Sequence, residues 1–108
     1  MTFNHQSRLL PREIALLIPR LYQQEKMPDP LVYVRLYGPF SGWEWYLYEF
    51  DGEDIGFGLI NEFDVELGYI SLSELADTDS LAALVLRDTD FTPQPLSQVR
   101  RTVALRRQ

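Results

Sequence analysis

The residues of this 108-residue chain that could do chemistry are carboxylates and aromatic rings, and both are crowded into its middle. Eleven of its fourteen aromatic residues lie between Tyr33 and Tyr69. No lysine or arginine occurs between Arg35 and Arg87, whereas the same span holds eleven acids. Acids beside rings are typical of two kinds of site, namely a surface that attracts a basic protein and a cleft that holds or cleaves a sugar.

We predict that this region binds a protein partner with a basic surface, because aromatic residues are enriched in binding hot spots and acids attract basic groups. Strict alternation along the strand that contains Trp43 and Trp45 would place both rings on one face together with Glu49. Two acidic turns follow, at opposite ends of the predicted sheet. The predicted partner-binding residues are Trp43, Trp45, Glu49, Asp51, Glu53, Asp54, Glu62, Asp64 and Glu66.

Other interpretations of the same residues stay open. The segregated charge could serve solubility alone, with arginines of the flanking helices offsetting the acids. A narrower form of the partner hypothesis is a surface that mimics DNA towards a DNA-binding protein. An alternative from another class is a small hydrolase or carbohydrate-binding protein with a carboxylate and aromatic site. Glu44 and Glu49 would fall on opposite faces of one strand, so they cannot form a glycosidase pair.

The residue inventory excludes several classes of enzyme. The chain has no cysteine and a single histidine, His5, so thiol nucleophiles, thiolate metal sites and catalytic triads are ruled out. We therefore predict no catalytic residues, no metal ligands and no cofactor, and an enzyme is the less favoured reading. The net charge of −6 argues against general nucleic-acid binding. The one basic cluster is the tail that contains Arg100, Arg101, Arg106 and Arg107.

Hydrophobic periodicity predicts the order of elements that would position these residues. Apolar residues at helical spacing from Ile14 to Tyr22 predict a first helix over residues 11–24, bent at Pro19. Runs of β-branched and aromatic residues predict strands. The predicted strands span residues 31–37, 43–50, 55–61, 68–72 and 84–86, and further helices begin near Ser71 and Pro95.

These elements predict an α+β fold. Short connections make the strands antiparallel, so we expect a meander of four to five strands with helices packed on one face. Residues 1–8 are predicted to be a flexible arm and residues 9–108 a single domain. Because both faces of the sheet carry apolar residues, a homodimer is left open as a way to cover the second face.

Three segments of the chain resemble a known family. The segment Leu21-Tyr22-Gln23-Gln24-Glu25, the run from Trp43 to Asp54, and Glu66-Leu67-Gly68-Tyr69-Ile70-Ser71-Leu72-Ser73-Glu74-Leu75 are similar to the family called domain of unknown function 2958. The resemblance covers roughly residues 9–99. It implies a small bacterial cytoplasmic protein, often encoded on mobile elements, and it supplies no catalytic residues.

The expected compartment follows from the lack of a recognisable signal peptide or membrane span in the sequence. The longest apolar run near the start is five residues, Ile14-Ala15-Leu16-Leu17-Ile18, which is too short for a signal-peptide core or a membrane span. We therefore expect a cytoplasmic protein without membrane contact.

Overall fold

The computed structural model describes residues 6–108, with side chains from Arg8 onward. Its helices are short except for the last, and its strands are concentrated in the middle of the chain. The helices are α1 (Gln6–Leu9), α2 (Arg12–Ala15), α3 (Leu72–Ala76) and α4 (Leu96–Arg106), with a 3-10 turn at Leu81–Ala83. The strands are β1 (Leu31–Val32), β2 (Val34–Tyr37), β3 (Glu44–Phe50), β4 (Ile55–Asn61), β5 (Val65–Ser71), β6 (Leu86–Arg87) and β7 (Gln94–Pro95).

Five of these strands form one antiparallel sheet in the order β5-β4-β3-β2-β6. Four of them, β2 to β5, follow one another along the chain as a meander, so the predicted α+β class and antiparallel sheet are confirmed. A second sheet of two strands pairs β1 with β7, and no strand was predicted at the position of β7. The predicted fifth strand at residues 84–86 is observed slightly later, as β6 at Leu86–Arg87.

A β-bulge in β3 changes which residues share a face of the sheet. Leu47 pairs with Gly58 and Glu49 pairs with Phe57, so Tyr48 is an extra residue without a partner of its own. We call the side that carries Trp45 and Leu47 face A, and the side that carries Tyr46 and Leu59 face B. The prediction that Glu49 shares the face of Trp45 is therefore wrong, because the bulge moves Glu49 to face B. Glu44 also lies on face B, so the expectation that Glu44 and Glu49 fall on opposite faces is wrong for the same reason.

Helices contact both faces rather than one. The core on face A packs Trp45 and Leu47 with Leu9, Leu10 and Ala76, which come from α1, the residue after it and α3. The core on face B packs against a different helix. The buried residues of this core are Val32, Tyr46, Tyr48, Leu59, Leu96, Val99 and Val103. The last three of these belong to α4, so the second apolar face is covered in part by the chain itself.

The predicted helix over residues 11–24 is wrong in length. The structure keeps one helical turn, α2, and the chain then follows irregular turns as far as β1. Pro19 lacks a backbone N–H and disfavours helical geometry at Ile18, so the helix ends before it. Leu17, which a helix over residues 11–24 would place on its apolar stripe, is 64% exposed, whereas Ile18 is buried.

The N-terminal segment is tied to the domain from Arg8 onward. Residues 1–5 of the predicted flexible arm lie outside the described residues, and Gln6–Arg8 belong to α1. Arg8 donates hydrogen bonds to the backbone oxygens of Val85 (2.7 Å) and Ala76 (3.3 Å). Across residues 6–108, none of the helices is both long enough and apolar enough to span a membrane.

Candidate functional site

An open cavity of about 230 Å³ on face B brings four aromatic rings and two carboxylates together. Its walls combine residues from β3, β4 and β5 with the irregular segment that follows Pro19. The lining residues are Tyr22, Glu25, Tyr48, Glu49, Phe57 and Tyr69. We call this cavity the aromatic pocket.

The rings of the aromatic pocket contact one another edge to face. The Phe57 ring lies 5.6 Å from that of Tyr48 at an interplanar angle of 87°, and 4.9 Å from that of Tyr69 at 68°. Rings in this arrangement hold each other in place and add stability beyond the area that they bury. The hydroxyls of Tyr22 and Tyr69 lie 3.2 Å apart and join the loop to β5 across the cavity.

The bulge in β3 supplies two neighbouring residues to this one pocket. In a regular strand, successive side chains point to opposite faces, so Tyr48 and Glu49 could not both reach face B. Because Tyr48 is the extra residue, Glu49 keeps its register with Phe57 and lies beside the ring of Tyr48. The pocket therefore has an aromatic wall and a carboxylate from adjacent positions of the chain.

Tyr22 reaches the pocket through a strained backbone conformation. Its φ of 73° is in the left-handed region, and Tyr22 is the one residue other than glycine with positive φ in the described part of the chain. Bulky side chains adopt this region rarely and at a cost. The conformation turns the segment after Pro19 back towards the sheet.

Gln24 fixes that segment to the sheet. Its side-chain amide donates to the backbone oxygens of Tyr48 (2.7 Å) and Leu31 (3.0 Å), and its oxygen accepts from the Leu31 N–H (2.9 Å). Its backbone N–H donates to the Glu49 carboxylate at 2.8 Å. Gln24 is buried, so this set of bonds is shielded from water and holds both walls of the pocket in place.

The charge balance of the pocket is negative. Glu49 is only 4% exposed, and in residues 8–108 the carboxylate has no lysine or arginine within 4.0 Å. Burial raises the pKa of Tyr48, and the neighbouring Glu49 charge raises it further against the opposing effect of Arg100. The hydrogen bond to Tyr22 raises the pKa of Tyr69, with further contributions from burial and from the Glu49 and Glu25 charges.

This combination has a definite chemical preference. A buried carboxylate is stabilised when a cation joins it, and the faces of aromatic rings attract cations through their quadrupoles. The pocket offers both features within one cavity. It can therefore hold an ammonium or guanidinium group.

A second polar cluster on face B surrounds Glu44, which is 4% exposed. Its carboxylate accepts hydrogen bonds from the Tyr46 hydroxyl (2.7 Å), the Arg35 guanidinium (2.7 Å) and the Asn61 amide (2.8 Å). Arg106, at the end of α4, also binds Glu44, and Asp88 binds Arg35 at 3.0 Å.

The charges of the Glu44 cluster are matched within the protein. Burial alone would raise the pKa of Glu44, but the bonds from Tyr46, Arg35 and Asn61 lower it below its usual value. Burial and the Glu44 charge raise the pKa of Tyr46 to about 12. We assign this cluster to the fold, because it locks α4 onto face B and leaves no charge unmatched for a ligand.

The acids among the predicted partner-binding residues lie in two groups, as expected from two acidic turns at opposite ends of the sheet. Glu49, Asp51, Glu53 and Asp54 lie at the β3–β4 end of the sheet, and Glu62, Asp64 and Glu66 lie at or near the β4–β5 end. The seven residues of β4 separate the two ends by about 20 Å.

Two of these residues, Asp51 and Asp54, accept hydrogen bonds that stabilise the fold. One Asp51 oxygen accepts the backbone N–H groups of Glu53, Asp54 and Ile55 at 2.8 to 3.1 Å, and so holds the β3–β4 turn. Burial alone would raise the pKa of Asp51, but these three bonds lower it. Asp54 accepts the Ser71 hydroxyl and the Ser73 N–H, both at 2.7 Å, beside the start of α3.

The two tryptophans are less accessible than the partner prediction requires. Trp45 is buried on face A, and its indole N–H donates to Glu62 at 3.1 Å. Trp43 is half-buried and contacts Phe63 edge to face at 5.2 Å. Glu53, Asp64 and Glu66 are exposed. Of the predicted residues, only Glu49 lies in the aromatic pocket.

Sequence reasoning missed the other five pocket residues. The rings of Tyr48, Phe57 and Tyr69 were visible as strand residues, but their meeting depends on the strand register. Tyr22 was assigned to the stripe of a helix that does not form. The signal that could have found it was Pro19, since a helix that stops there leaves Tyr22 and Glu25 in a loop.

In residues 8–108, no group of three or more histidine, cysteine, aspartate or glutamate residues could hold a metal ion.

Comparison with known proteins identifies the family. The family model described as "Protein of unknown function (DUF2958)" matches residues 9–104. The chain belongs to this family. The match confirms the resemblance seen in the sequence, and it covers all six residues of the aromatic pocket, whereas Arg106 and Arg107 lie beyond it. No curated protein and no solved structure matches the chain.

Proposed function

We propose that this protein is a non-enzymatic interaction module that binds a basic protein partner by holding one of its arginine or lysine side chains in the aromatic pocket. The observation that carries the proposal is Glu49, a buried carboxylate that faces aromatic rings and has no cationic side chain of the described residues within 4.0 Å. A cation from a partner would both match this charge and stack on the rings.

The surroundings of the pocket support a protein as the source of the cation. Glu25 is exposed at the rim, and β3, β4 and β5 lie in a span of the chain without basic residues, between Arg35 and Arg87, so the sheet itself is acidic. The charge of Arg100, from α4, also acts on Tyr48. An acidic surface increases the association rate of a basic partner and disfavours nucleic acid. We place this interaction in the bacterial cytoplasm, as the family resemblance implies. The narrower idea of a DNA mimic is less favoured, because the exposed acids are divided between two ends of the sheet.

The direct test is a calorimetric and NMR titration with capped tripeptides that carry a central arginine, lysine or glutamine. We expect the two cationic peptides to bind and to shift the ring signals of Tyr48, Phe57 and Tyr69, and the glutamine peptide to do neither. Glu49→Gln keeps an oxygen that can accept the Gln24 N–H but removes the charge, so it should weaken binding by about tenfold or more.

The matched control is Glu66→Gln, which makes the same change in charge at an exposed position on face A. We expect it to alter affinity by less than about twofold, since exposed charges are screened. Equal binding of the glutamine peptide, or unchanged affinity in Glu49→Gln, would show that the pocket is not a cation site. Amide changes at Asp51 and Asp54 are poor probes because they disturb the turn and the start of α3.

A second candidate function is carbohydrate binding, favoured by one observation. Glu25 and Glu49 line the same ring-walled cavity, and carboxylates beside aromatic faces also suit sugars. The same titration separates the two functions when glucose and N-acetylglucosamine replace the peptides. Sugar binding without peptide binding would favour this candidate.

A further inference from the structure

Among residues 6–108, no strand pairs with the outer edge of β5. The strand has seven residues and, within this part of the chain, its one partner is β4, whereas the strand at the opposite edge, β6, has two residues. An unpaired strand of this length presents a row of backbone N–H and C=O groups that can pair with another chain. Tyr69 belongs to this strand, so the open edge and the aromatic pocket adjoin.

Two hydrogen bonds at the ends of the β4–β5 hairpin determine which backbone groups of β5 point outward. The Glu62 N–H donates to the Asp64 oxygen at 3.1 Å, and the Leu72 N–H donates to the Asp54 oxygen at 3.0 Å. Because hydrogen-bonded and non-bonded pairs alternate in an antiparallel ladder, both bonds imply the same pattern. Glu66, Gly68 and Ile70 bond to β4, while the backbone groups of Val65, Leu67 and Tyr69 face outward.

The side chains of the outward-facing residues form an exposed stripe on face B. Val65, Leu67 and Tyr69 pair across the ladder with Asn61, Leu59 and Phe57, and they are 36%, 40% and 56% exposed. An alternating, partly apolar strand of this kind suits a partner strand with apolar residues on the same face. On face A, the same strand carries the exposed acid Glu66.

The pocket lies in line with the position that an added strand would occupy. Glu49, Phe57 and Tyr69 form one row across β3, β4 and β5. The residue of an added strand opposite Tyr69 would continue this row on face B, about 14 Å from Glu49 at a spacing of about 4.8 Å per strand. From there, a long basic side chain would extend over the Tyr69 ring and bring its charge into the pocket, on the side that faces the carboxylate.

We propose that the partner binds as an extended segment that adds a strand to β5, with an arginine or lysine opposite Tyr69 that enters the aromatic pocket. This inference rests on the proposed function and specifies its mode of binding. Strand addition combines affinity from backbone bonds with specificity from pockets for alternate side chains. A second copy of the chain is a poorer occupant, because its own β5 contains no basic residue to match Glu49.

The test uses a nine-residue peptide in which valine alternates with threonine and arginine replaces the central valine. When the arginine lies opposite Tyr69, the N–H groups of the arginine and of the two nearest valines point towards β5. The threonine N–H groups point away from β5. One derivative carries N-methyl groups on the arginine and on these two valines, and its control carries the same number on threonines. We expect the first derivative to lose about tenfold or more in affinity and the control to bind like the parent.

Amide hydrogen exchange gives a second, independent readout on the protein. Addition of the parent peptide should slow exchange at the outward-facing amides of Leu67 and Tyr69, and leave Gly68 and Ile70, already bonded to β4, unchanged. Equal affinities of the two methylated derivatives, or no added protection at Leu67 and Tyr69, would overturn strand addition. Binding of the arginine tripeptide without binding of the nine-residue peptide would overturn it while the proposed function stands. If neither binds, both proposals are wrong.

Discussion

At the scale of single residues, two buried glutamates of face B have opposite surroundings. Glu44 receives hydrogen bonds from two arginines, a tyrosine and an asparagine, so its charge is matched within the protein. Glu49 receives the Gln24 N–H and faces rings. Removing the charge of Glu44 should therefore reduce stability, whereas removing the charge of Glu49 should reduce ligand affinity.

The first prediction concerns the stability of Glu44→Gln. The substitution leaves Arg35 and Arg106 without their shared carboxylate, and loss of one partner of a buried ion pair costs about 3–5 kcal/mol. We expect a loss near the lower end of this range in the free energy of unfolding at neutral pH, because Asp88 still binds Arg35. Urea unfolding measures it, and the exposed Glu66→Gln control should stay within about 0.5 kcal/mol of the native protein.

The effect of Glu44→Gln should also depend on pH. Because the folded state lowers the pKa of Glu44 below its usual value of 4.5, the charge stabilises the protein fully above that pH. This contribution is lost as the pH falls through the lowered pKa. The difference between variant and native protein should thus shrink in acid, and an equal difference at neutral and acidic pH would contradict the role assigned to Glu44.

The second prediction concerns alkaline titration of the six tyrosines. The raised pKa of Tyr46, about 12, means that its phenolate forms well above the usual value of 10.0. The native protein should therefore show an absorbance step near pH 12 that Tyr46→Phe lacks. The stability that this group contributes is complete below pH 10 and is lost as the pH rises towards 12. A titration in which every phenol ionises near pH 10 would refute the buried network.

At the scale of elements, the strands were predictable and the irregular segments were not. Aromatic and β-branched residues from Val34 to Phe50 indicated strands correctly, because a pleated sheet selects these side chains locally. The first helix was overestimated because its apolar spacing was helical on both sides of Pro19. The bulge at Tyr48 could not be read from the sequence, since its position depends on how β3 pairs with β4. The place of Tyr48 in the candidate site was missed for this reason, whereas Tyr22 and Glu25 were missed because the predicted helix continued past Pro19.

The third prediction tests the contact between β3 and β4 beside the bulge. A Cβ at Gly58 would overlap the backbone oxygen of Tyr46, which cannot move away without breaking the sheet. Gly58→Ala should thus destabilise the protein by more than about 3 kcal/mol. Gly42→Ala is the matched control, because its Cβ would meet nothing within 4 Å and its φ of 78° costs about 1 kcal/mol for alanine. Denaturant unfolding measures the loss of stability in both variants, provided that the m-value, the dependence of the unfolding free energy on denaturant concentration, is unchanged. Similar losses in the two variants would argue against a close backbone contact.

At the scale of the whole molecule, charge is distributed unevenly. The ion pairs within residues 8–108 all involve Glu44 or Asp88, although the chain has sixteen acids and ten basic residues. Arg35 of β2 and Arg106 of α4 therefore pair with acids at one cluster. The sequence predicted the acidic excess, but where the matched pairs lie depends on how α4 crosses face B.

The fourth prediction is that added salt stabilises the free protein. The net charge of −6 creates repulsion among exposed acids, and the screening length falls from about 30 Å to about 8 Å between 0.01 M and 0.15 M salt. We expect the melting temperature to rise over this range of sodium chloride. The double variant Asp64→Asn, Glu66→Gln should show a smaller rise. A melting temperature that falls with salt would show that attractive surface pairs outweigh the repulsion.

The extra residue in β3 has a consequence for the natural history of the site. Substitution alone cannot place two consecutive residues of a regular strand in one cavity, whereas an insertion of a single amino acid can. The aromatic pocket is thus the kind of feature that a lineage gains or loses by an indel. In an alignment of the family, a gap at Tyr48 would mark relatives that keep the sheet, the Glu44 cluster and even the carboxylate at position 49, yet lack one wall of the pocket. Strand length, more than residue identity, would then sort relatives by whether they hold a cation.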